Sequence, residues 1–400
     1  MQTGAVTFTR LNRVTYGEPV AKALAAAADR AGAARVFIMA SQSLVARADE
    51  IGAVAEALGD RFCGLYSGMP AHTPRDAVLE AAAGARLGRA DMIATVGGGS
   101  ITDAAKAVTL ALEHDLTEIA DFDPFILRTN ADGTTVAPEY RAPTLPLVCC
   151  PTTLSAGEYN PLAGVSDPRK GVKQAIRSLG MAPSEVILDP ALTLPTPEWL
   201  WLSTGVRAVD HCVEAVCSHL TNAYCDAQSL HGLTLLTRGL TATRADPLDL
   251  EARMNCQLGA WLSMSSVQAN VPKGASHAIG HILGGSFGVA HGHTSCVMLP
   301  LGDALEPGSG HGRPPETDFG RHGRRRSARR RPAGSFHQGP RHADPAVGGR
   351  RHAGPVRAGG EAFHARPLDP HQSPADQEPG SGAGNPETRR LKLALRARPD

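Results

Sequence analysis

The sequence predicts an α/β domain followed by an all-helical domain. In the first part of the chain, short β-rich runs such as ARVFIMA (34–40) and ADMIATV (90–96) alternate with Ala-rich amphipathic stretches such as VAKALAAAADRAG (20–32). Strands and helices that alternate at this spacing are typical of a parallel sheet with helices on both faces. From about residue 195 the β-rich runs give way to long segments with helical apolar spacing, which predicts helices packed on one another.

The remaining elements follow from the same two patterns. TLPLVCCPTT (144–153) predicts a buried strand that ends in a loop, and VILDPALTLPTP (186–197) predicts a last strand with a Pro-rich exit. Three later segments have the apolar spacing of helices: 199–220, 226–241 and 251–269. We therefore expect one domain over residues 1–192 and an incomplete helical domain over residues 193–300.

Residues 301–400 differ in composition from the rest of the chain. They are rich in Gly, Pro, Arg and His, and include the charge run RHGRRRSARRRPAG (321–334). Such a segment cannot bury enough apolar area to offset chain entropy, which predicts a disordered tail. Translation in a shifted reading frame is the explanation we favour for this composition. A nucleic-acid-binding tail is disfavoured because few aromatic side chains are present for stacking.

Composition also limits the class of protein. The formal net charge of +1 gives no general attraction to nucleic acid or membranes. The opening segment lacks the apolar stretch of a secretory signal, and no run is long enough to predict a membrane span. The 8 cysteines show no CxxC spacing, which predicts reduced thiols. We expect a cytoplasmic protein without a nucleic-acid or membrane partner.

The segment ATVGGGSITDAAKAV (94–108) is the first candidate binding site. Four residues lie between a predicted buried strand and a predicted helix: Gly97, Gly98, Gly99 and Ser100. Glycines allow backbone N–H groups to approach a pyrophosphate closely, and the N-terminus of a helix favours negative charge. Asp103 lies in the first turns of the same helix. The alternative is a plain Gly-rich turn, because the spacing is not GxGxxG.

A second candidate site is the segment CCPTTLSAGEYNPLAGVSDPRKGVKQAI (149–176). It supplies hydroxyl groups at the end of a strand, where ligands of open α/β sheets bind: Thr152, Thr153 and Ser155. Lys170 and Lys173 are candidates to neutralise a phosphate or a carboxylate. The alternative is a loop of Ser/Thr turns with solvated lysines.

Histidines are concentrated in two segments, GVRAVDHCVEA (205–215) and HAIGHILGGSFGVAHGH (277–293). Helical spacing places Arg207, His211 and Glu214 on one face. The second segment contributes further imidazoles at helical spacing and in a Gly-bounded loop: His277, His281, His291 and His293. Imidazoles arranged in this way can bind a divalent metal or transfer protons, although any one of them is more often an ordinary core or surface residue.

These segments, in this order, resemble the iron-containing (group III) alcohol dehydrogenase family and, within it, the maleylacetate reductase branch. The resemblance covers about residues 10–300 and rests on GGGSITDAAKA, PTTLSAGE, GVRAVDHCVEA and HAIGHILGG. It implies a dehydroquinate synthase-like fold, with a Rossmann-like domain, a helical domain and a dinucleotide between them. It also implies a homodimer. Because Ser41 stands where NAD-preferring members often have an acidic residue, either NADH or NADPH is the expected cofactor.

The resemblance implies that three histidines are the metal ligands of metal-dependent members: His211, His277 and His291. The Asp that completes this Fe2+ or Zn2+ site is replaced here by Arg207, whose charge repels a divalent cation. We expect Asp210 to be rotated away from Arg207 and so not to take its place. The prediction is a metal-independent enzyme in which Arg207 binds a substrate carboxylate.

The resemblance further implies reduction of maleylacetate to 3-oxoadipate, a step in aromatic-ring degradation. The substrate carboxylate would lie near Arg207 or Lys273, and His281 or a neighbouring imidazole would donate the proton. One alternative is a metal-dependent alcohol or aldehyde dehydrogenase with Asp210 or His293 as a fourth ligand. Another is an inactive chain, because the family's helical domain continues beyond residue 300.

Overall fold

The structure is a computed structural model that describes residues 5–47, 49–130, 135–287, 289 and 293–299. The described strands are β1 (Arg13–Tyr16), β2 (Val36–Ala40), β3 (Phe62–Tyr66), β4 (Met92–Gly97), β5 (Arg128–Thr129), β6 (Thr135–Val136), β7 (Leu147–Pro151), β8 (Leu162–Asp167), β9 (Val172–Arg177) and β10 (Glu185–Leu188). The described helices are α1 (Val20–Ala31), α2 (Gln42–Arg47), α3 (Glu50–Leu58), α4 (Arg75–Leu87), α5 (Gly99–Glu113), α6 (Glu198–Cys217), α7 (Ala223–Ala245), α8 (Leu250–Leu262), α9 (Ser265–Gln268) and α10 (Ala275–Phe287). Residues 293–299 are also helical.

The N-terminal part is a parallel sheet with six strands in the order β1-β10-β7-β4-β2-β3. Successive residues of β2 pack on opposite faces, as the period of a strand requires. Val36 and Ile38 belong to the core beneath α1 and α3, whereas Phe37 and Met39 belong to the core beneath α4 and α5. Both faces of the sheet are therefore covered by helices, as the alternating sequence pattern predicts.

The sequence patterns missed several strands of this part: β1, β3, the β5–β6 pair and the antiparallel β8–β9 hairpin. The hairpin replaces the loop predicted for the second candidate segment. Its turn ends at Gly171, whose φ of 65° is in the left-handed region and whose N–H donates to the Asp167 carbonyl oxygen at 2.9 Å. The sequence DPRKG between two runs with strand propensity is a turn signal that could have indicated the hairpin.

The C-terminal part is a group of helices dominated by the contacts of α7 with α6 and α8. Glycines allow α7 and α8 to approach closely: a Cβ atom at Gly239 would lie 2.8 Å from the Ala252 carbonyl oxygen. Trp201 is buried in the core between these helices, with the Arg253 guanidinium 4.7 Å from its ring centroid. The predicted helix over 251–269 is divided into α8 and α9 at Ser263, whose hydroxyl bonds to the Ala260 carbonyl oxygen at 2.7 Å.

The predicted fold class is confirmed, since a Rossmann-like α/β part is followed by a helical part. The division at residue 192 falls between the end of β10 and the start of α6 and remains a prediction. Predictions for residues 301–400 lie outside the described residues. Within the described part, none of the helices combines the length and the apolar character needed to cross a membrane.

Candidate functional site

The carboxyl ends of β2, β4 and β7 meet at one edge of the sheet. The Ser41 N–H donates to the Val96 carbonyl oxygen at 3.0 Å, and the Thr152 N–H donates to the Gly97 carbonyl oxygen at 3.0 Å. These bonds hold the residues that follow β2 and β7 against the glycine turn between β4 and α5. The structure thus brings together Ser41, the glycines and the hydroxyl-bearing loop, which are far apart in the sequence.

The three glycines are required by close packing at this edge. A Cβ atom at Gly97 would contact the Ser41 hydroxyl. A Cβ atom at Gly98 would lie 3.1 Å from Thr153 Cγ2, and one at Gly99 would lie 2.9 Å from Ser155 Oγ. Helix α5 begins at Gly99, and Gly98 provides no side-chain cap. The first N–H groups of a helix have no partner within the helix. Backbone donors and hydroxyl groups therefore converge at the start of α5, as a dinucleotide pyrophosphate site requires.

Asp103 and Lys173 lie on the hairpin side of this turn. The Asp103 carboxylate accepts a hydrogen bond from the Gly164 N–H at 3.1 Å. The Lys173 side chain lies directly over Gly164, where a Cβ atom would collide with it. The hairpin is thereby fixed against α5, and Lys173 is the lysine of the segment that lies close to Asp103.

Lys170 belongs to an ion network beside the turn of the β8–β9 hairpin. Its ammonium group lies 3.7 Å from the Asp167 carboxylate and 3.9 Å from the Asp123 carboxylate. Both carboxylates also pair with the buried Arg75. Arg169 pairs with the same two carboxylates, so three cations share two negative charges and the network keeps a net positive charge. The role of Lys170 in neutralising a cofactor phosphate stays a prediction.

Helix α6 carries a second cluster, built around Arg207 and Asp210. Arg207 is 5% exposed and Asp210 is fully buried. Arg207 Nη1 donates to Ser295 Oγ at 2.9 Å, and Ser295 Oγ donates to Asp210 Oδ2 at 2.6 Å. Burial lowers the pKa of Arg207 to about 10, although Asp210 and Glu214 oppose this shift.

The expectation that Asp210 is rotated away from Arg207 is wrong. One hydroxyl group, that of Ser295, joins the two side chains. The reason is that residues three apart on a helix are neighbours on its surface, only about 60° apart in projection. Asp210 also accepts a hydrogen bond from Ser276 Oγ at 2.9 Å, which links α6 to α10.

Two imidazoles lie next to this pair. Glu214 binds His277 twice, since Oε1 accepts from the His277 backbone N–H at 3.2 Å and Oε2 contacts Nδ1. The His211 and His277 ring centroids are 4.7 Å apart, and Ser263 Oγ lies 3.4 Å from His211 Nδ1. The structure therefore brings the two histidine segments together.

Lys273 completes the charged groups of the cluster. Its ammonium group donates to Ser266 Oγ at 2.6 Å and lies 3.5 Å from the His211 carbonyl oxygen. Burial lowers the pKa of Lys273 to about 8; the nearby Glu214 opposes this shift and Arg207 adds to it. Arg207 and Lys273 thus face the two buried carboxylates Asp210 and Glu214.

The other predicted histidines have different outcomes. His291 and the side chain of His281 lie outside the described residues, so their predicted roles stay predictions. His293 is exposed and its ring lies 5.7 Å from that of Trp199. Sequence analysis missed Ser276 and Ser295, because isolated serines give no periodic signal. Ser276 directly precedes His277, and Ser295 follows His293 by two residues; this closeness to the second segment was the one available hint.

The two clusters are connected through the loop after β7. The Leu154 N–H donates to Thr204 Oγ1 on α6 at 3.1 Å, one turn before Arg207. Gly205 permits this approach, since a Cβ atom there would lie 3.2 Å from Leu154 Cδ1. The loop that presents Thr153 and Ser155 to the glycine turn therefore rests on the helix that carries the charged cluster.

The glycine turn and the charged cluster differ in the kind of cofactor that their residues could bind. The glycine turn suits a dinucleotide, because it combines a helix N-terminus with hydroxyl donors and without Cβ atoms. In the charged cluster, ligand atoms of Asp210, Glu214 and His277 lie within 4.8 Å of one another. However, Asp210 Oδ2 already accepts two hydroxyl hydrogen bonds, and Arg207 and Lys273 balance the carboxylates. These contacts compete with a divalent cation for Asp210 Oδ2, whereas Asp210 Oδ1 has no hydrogen-bond partner among the described residues.

A Rossmann-like sheet edge joined to a charged, imidazole-bearing helical cluster defines an NAD(P)-dependent oxidoreductase. Residues 12–190 match the model of the iron-containing alcohol dehydrogenase family, and residues 201–303 match the model of its C-terminal region. The chain belongs to the iron-containing alcohol dehydrogenase family.

Three similar proteins support this assignment. The dehydrogenase ALT3 of Alternaria alternata is 32% identical over 284 residues, which are 67% of this chain and 72% of that protein. The maleylacetate reductase of Burkholderia cepacia is 32% identical over 295 residues, or 73% of this chain and 72% of the relative. The crystal structure of maleylacetate reductase from Agrobacterium tumefaciens superposes with a TM-score of 0.62 at 27% identity, covering 75% of each chain.

Proposed function

We propose that this chain is a metal-independent NAD(P)H-dependent reductase of small oxo-carboxylates, with maleylacetate as substrate and 3-oxoadipate as product. The observation that carries the proposal is the buried Arg207, which stands beside two carboxylates in the charged cluster. The maleylacetate reductases among its relatives support the choice of substrate.

Electrostatics favour a metal-free cluster. A divalent cation among Asp210, Glu214 and His277 would lie close to the guanidinium of Arg207. At the moderate effective dielectric of a partly buried site, repulsion between these charges costs several kcal/mol. Arg207 and Lys273 already supply positive charge near the buried carboxylates without a metal ion.

The substrate is bound and oriented by the same cations. A guanidinium group presents five N–H donors, and its fork matches the two oxygens of a carboxylate. Bound nicotinamide supplies the hydride for reduction of the carbon–carbon double bond. Thr152, Thr153 and Ser155 would hold the cofactor at the glycine turn, next to α6.

The accompanying proton would come from an imidazole. His281, His211, His277 and His291 are the candidates. Glu214 Oε1 accepts from the backbone N–H of His277 and Oε2 contacts Nδ1, an arrangement that would orient the ring and favour a proton on Nδ1. A ring held in this way keeps Nε2 at a constant position for proton transfer.

The direct test is an assay of the purified chain with NADH and maleylacetate, with and without EDTA. Activity that survives EDTA and metal-free dialysis is the expected result. The variant Arg207→Lys keeps the charge but loses the fork, and should raise KM for maleylacetate at least 10-fold. Activity restricted to short alcohols with added iron or zinc would overturn the proposal.

A metal-dependent alcohol or aldehyde dehydrogenase is the second candidate function. It is favoured by the proximity of Asp210, Glu214 and His277. Metal analysis of the protein purified without chelators separates the two candidates, because this alternative requires about one bound Fe2+ or Zn2+ per chain.

Localisation and assembly are part of the same proposal. We infer a cytoplasmic homodimer that acts on a soluble carboxylate in aromatic-compound degradation. Size-exclusion chromatography with light scattering tests the dimer. A chain that elutes as an aggregate and does not bind NADH would instead support the inactive alternative.

A further inference from the structure

Ser295 separates two opposite charges that would otherwise pair. Arg207 and Asp210 are three residues apart on α6, a spacing at which oppositely charged side chains commonly form ion pairs. Here Arg207 Nη1 donates to Ser295 Oγ, which in turn donates to Asp210 Oδ2. Among the described side chains, no ion pair within 4.0 Å joins Arg207 to Asp210 or Glu214. A hydroxyl group therefore stands between the guanidinium and the carboxylate.

Asp210 is stabilised without using the guanidinium. Its Oδ2 accepts from Ser295 Oγ at 2.6 Å and from Ser276 Oγ at 2.9 Å, and His277 Nδ1 lies 3.4 Å away. Hydrogen bonds to a charged acceptor are stronger than those between neutral groups. Two serine hydroxyls can thus hold a buried carboxylate that would otherwise draw the nearest cation onto itself.

This arrangement matters for Arg207 because a direct pair would occupy it. A bidentate ion pair with Asp210 would use two of the five guanidinium N–H donors and neutralise the charge. The bond to Ser295 uses Nη1 alone among the contacts that the described residues provide. The other N–H donors of the Arg207 guanidinium, and its positive charge, then remain for an anionic ligand.

We propose that Ser295 is a positioning residue that keeps Arg207 available for a substrate carboxylate by preventing its direct ion pair with Asp210. The inference rests on the proposed function and adds a structural origin for the preference of the site for carboxylate substrates. The site selects carboxylate-bearing substrates because a small hydroxyl side chain occupies the space between the two charges.

The test compares three variants with the wild type. Ser295→Ala removes the intervening hydroxyl, so Arg207 pairs with Asp210 and KM for maleylacetate rises at least 10-fold with a smaller fall in kcat. Ser295→Thr retains a hydroxyl group and should recover most of the affinity. The double variant Asp210→Asn/Ser295→Ala removes the competing carboxylate and should also regain affinity. A purely structural role for Ser295 gives no such rescue.

A second readout avoids turnover. Fumarate, a dicarboxylate probe, is titrated into each protein with bound NADH while NADH fluorescence is followed. Weakened binding to Ser295→Ala, with recovery in both other variants, supports the inference. Equal fumarate affinity in wild type and Ser295→Ala, or a double variant as weak as Ser295→Ala, overturns it. Wild-type protein that binds fumarate but does not reduce maleylacetate overturns only the proposed substrate.

Discussion

The ammonium group of Lys106 donates a hydrogen bond to the Gly157 carbonyl oxygen at 2.6 Å. It also donates to the Leu162 carbonyl oxygen at 2.7 Å and lies 3.6 Å from the Asp103 carboxylate. Lys106 is fully buried, and through these bonds α5 holds the end of the loop that carries Thr153 and Ser155. The glycine turn and its hydroxyl donors are therefore fixed to each other by a buried cation.

Replacing this cation should destabilise the chain and weaken cofactor binding. Lys106→Met leaves the two carbonyl oxygens without their donor and Asp103 without its ion pair, at a cost of about 3 kcal/mol in the free energy of unfolding. Urea denaturation followed by tryptophan fluorescence measures the loss. Lys22→Met is the matched control, because Lys22 is mostly exposed and forms a surface ion pair with Glu18 at 3.2 Å. Equal stabilities for the two variants would contradict the assigned role.

The glycine turn should tolerate no Cβ atom where it faces the hydroxyl loop. Gly98→Ala places a methyl group 3.1 Å from Thr153 Cγ2 and should weaken NADH binding about 10-fold, or about 1.4 kcal/mol. Fluorescence titration with NADH gives the dissociation constant. Gly52→Ala on α3 is the control, since a Cβ atom there has no neighbour within 4 Å. A Gly98→Ala protein with wild-type affinity would remove the turn from the cofactor site.

Stability should depend on pH through Glu158. Burial raises the pKa of Glu158 to about 7, although the nearby Lys106 lowers it. In the unfolded chain this carboxyl ionises near its usual pKa, so between about pH 4.5 and 7 only the folded state retains the proton. The free energy of unfolding therefore falls as pH rises through this window, by roughly 3 kcal/mol, and then levels off.

Glu158→Gln should remove that part of the pH dependence. The amide is neutral at every pH used, so the slope between about pH 5 and pH 7 should be shallower than in the wild type. Urea midpoints at pH 5, 6, 7 and 8 provide the comparison, with the exposed Glu18→Gln as control. Parallel curves for wild type and Glu158→Gln would show that this carboxyl does not titrate as described.

Restoring an acidic residue at position 207 should create affinity for a divalent cation. Arg207→Asp removes the repelling charge and adds a carboxylate one turn from Asp210 and His211. Without metal the variant should be less stable than the wild type, because buried carboxylates then repel one another. Added Zn2+ should raise the Tm of Arg207→Asp the most. The increase in Tm should be smaller for Arg207→Ala and smallest for the wild type. An equal response of all three to Zn2+ would show that Arg207 does not exclude the cation.

The sequence predicted the parts of this structure that depend on local pattern. The start of α5 at the glycine turn and the long helix α6 follow from strand-to-helix transitions and apolar spacing within short windows. The β8–β9 hairpin was missed because β9 is partly exposed and begins within a polar turn. Local alternation is weak in such a strand, and only the turn residues carry a signal.

The charged cluster could be predicted only in part. The family resemblance makes His211 and His277 ligands of one metal ion, so it implies that the two histidine segments meet. The contact between Arg207 and Ser295 spans 88 positions of sequence, and neither residue type indicates the other. The error over Asp210 had a different origin, because a helical neighbour three positions away was treated as lying on another face.

The bond from Arg207 to Ser295 also bears on how the enzyme is made. Long-range contacts form late because their loops must close first. During synthesis, a nascent chain on the ribosome carries the Arg207 guanidinium and the Asp210 carboxylate well before Ser295 has been added. In that interval the two charges are free to pair with each other, and any ion pair that forms then would have to be exchanged for the serine link when the site is completed.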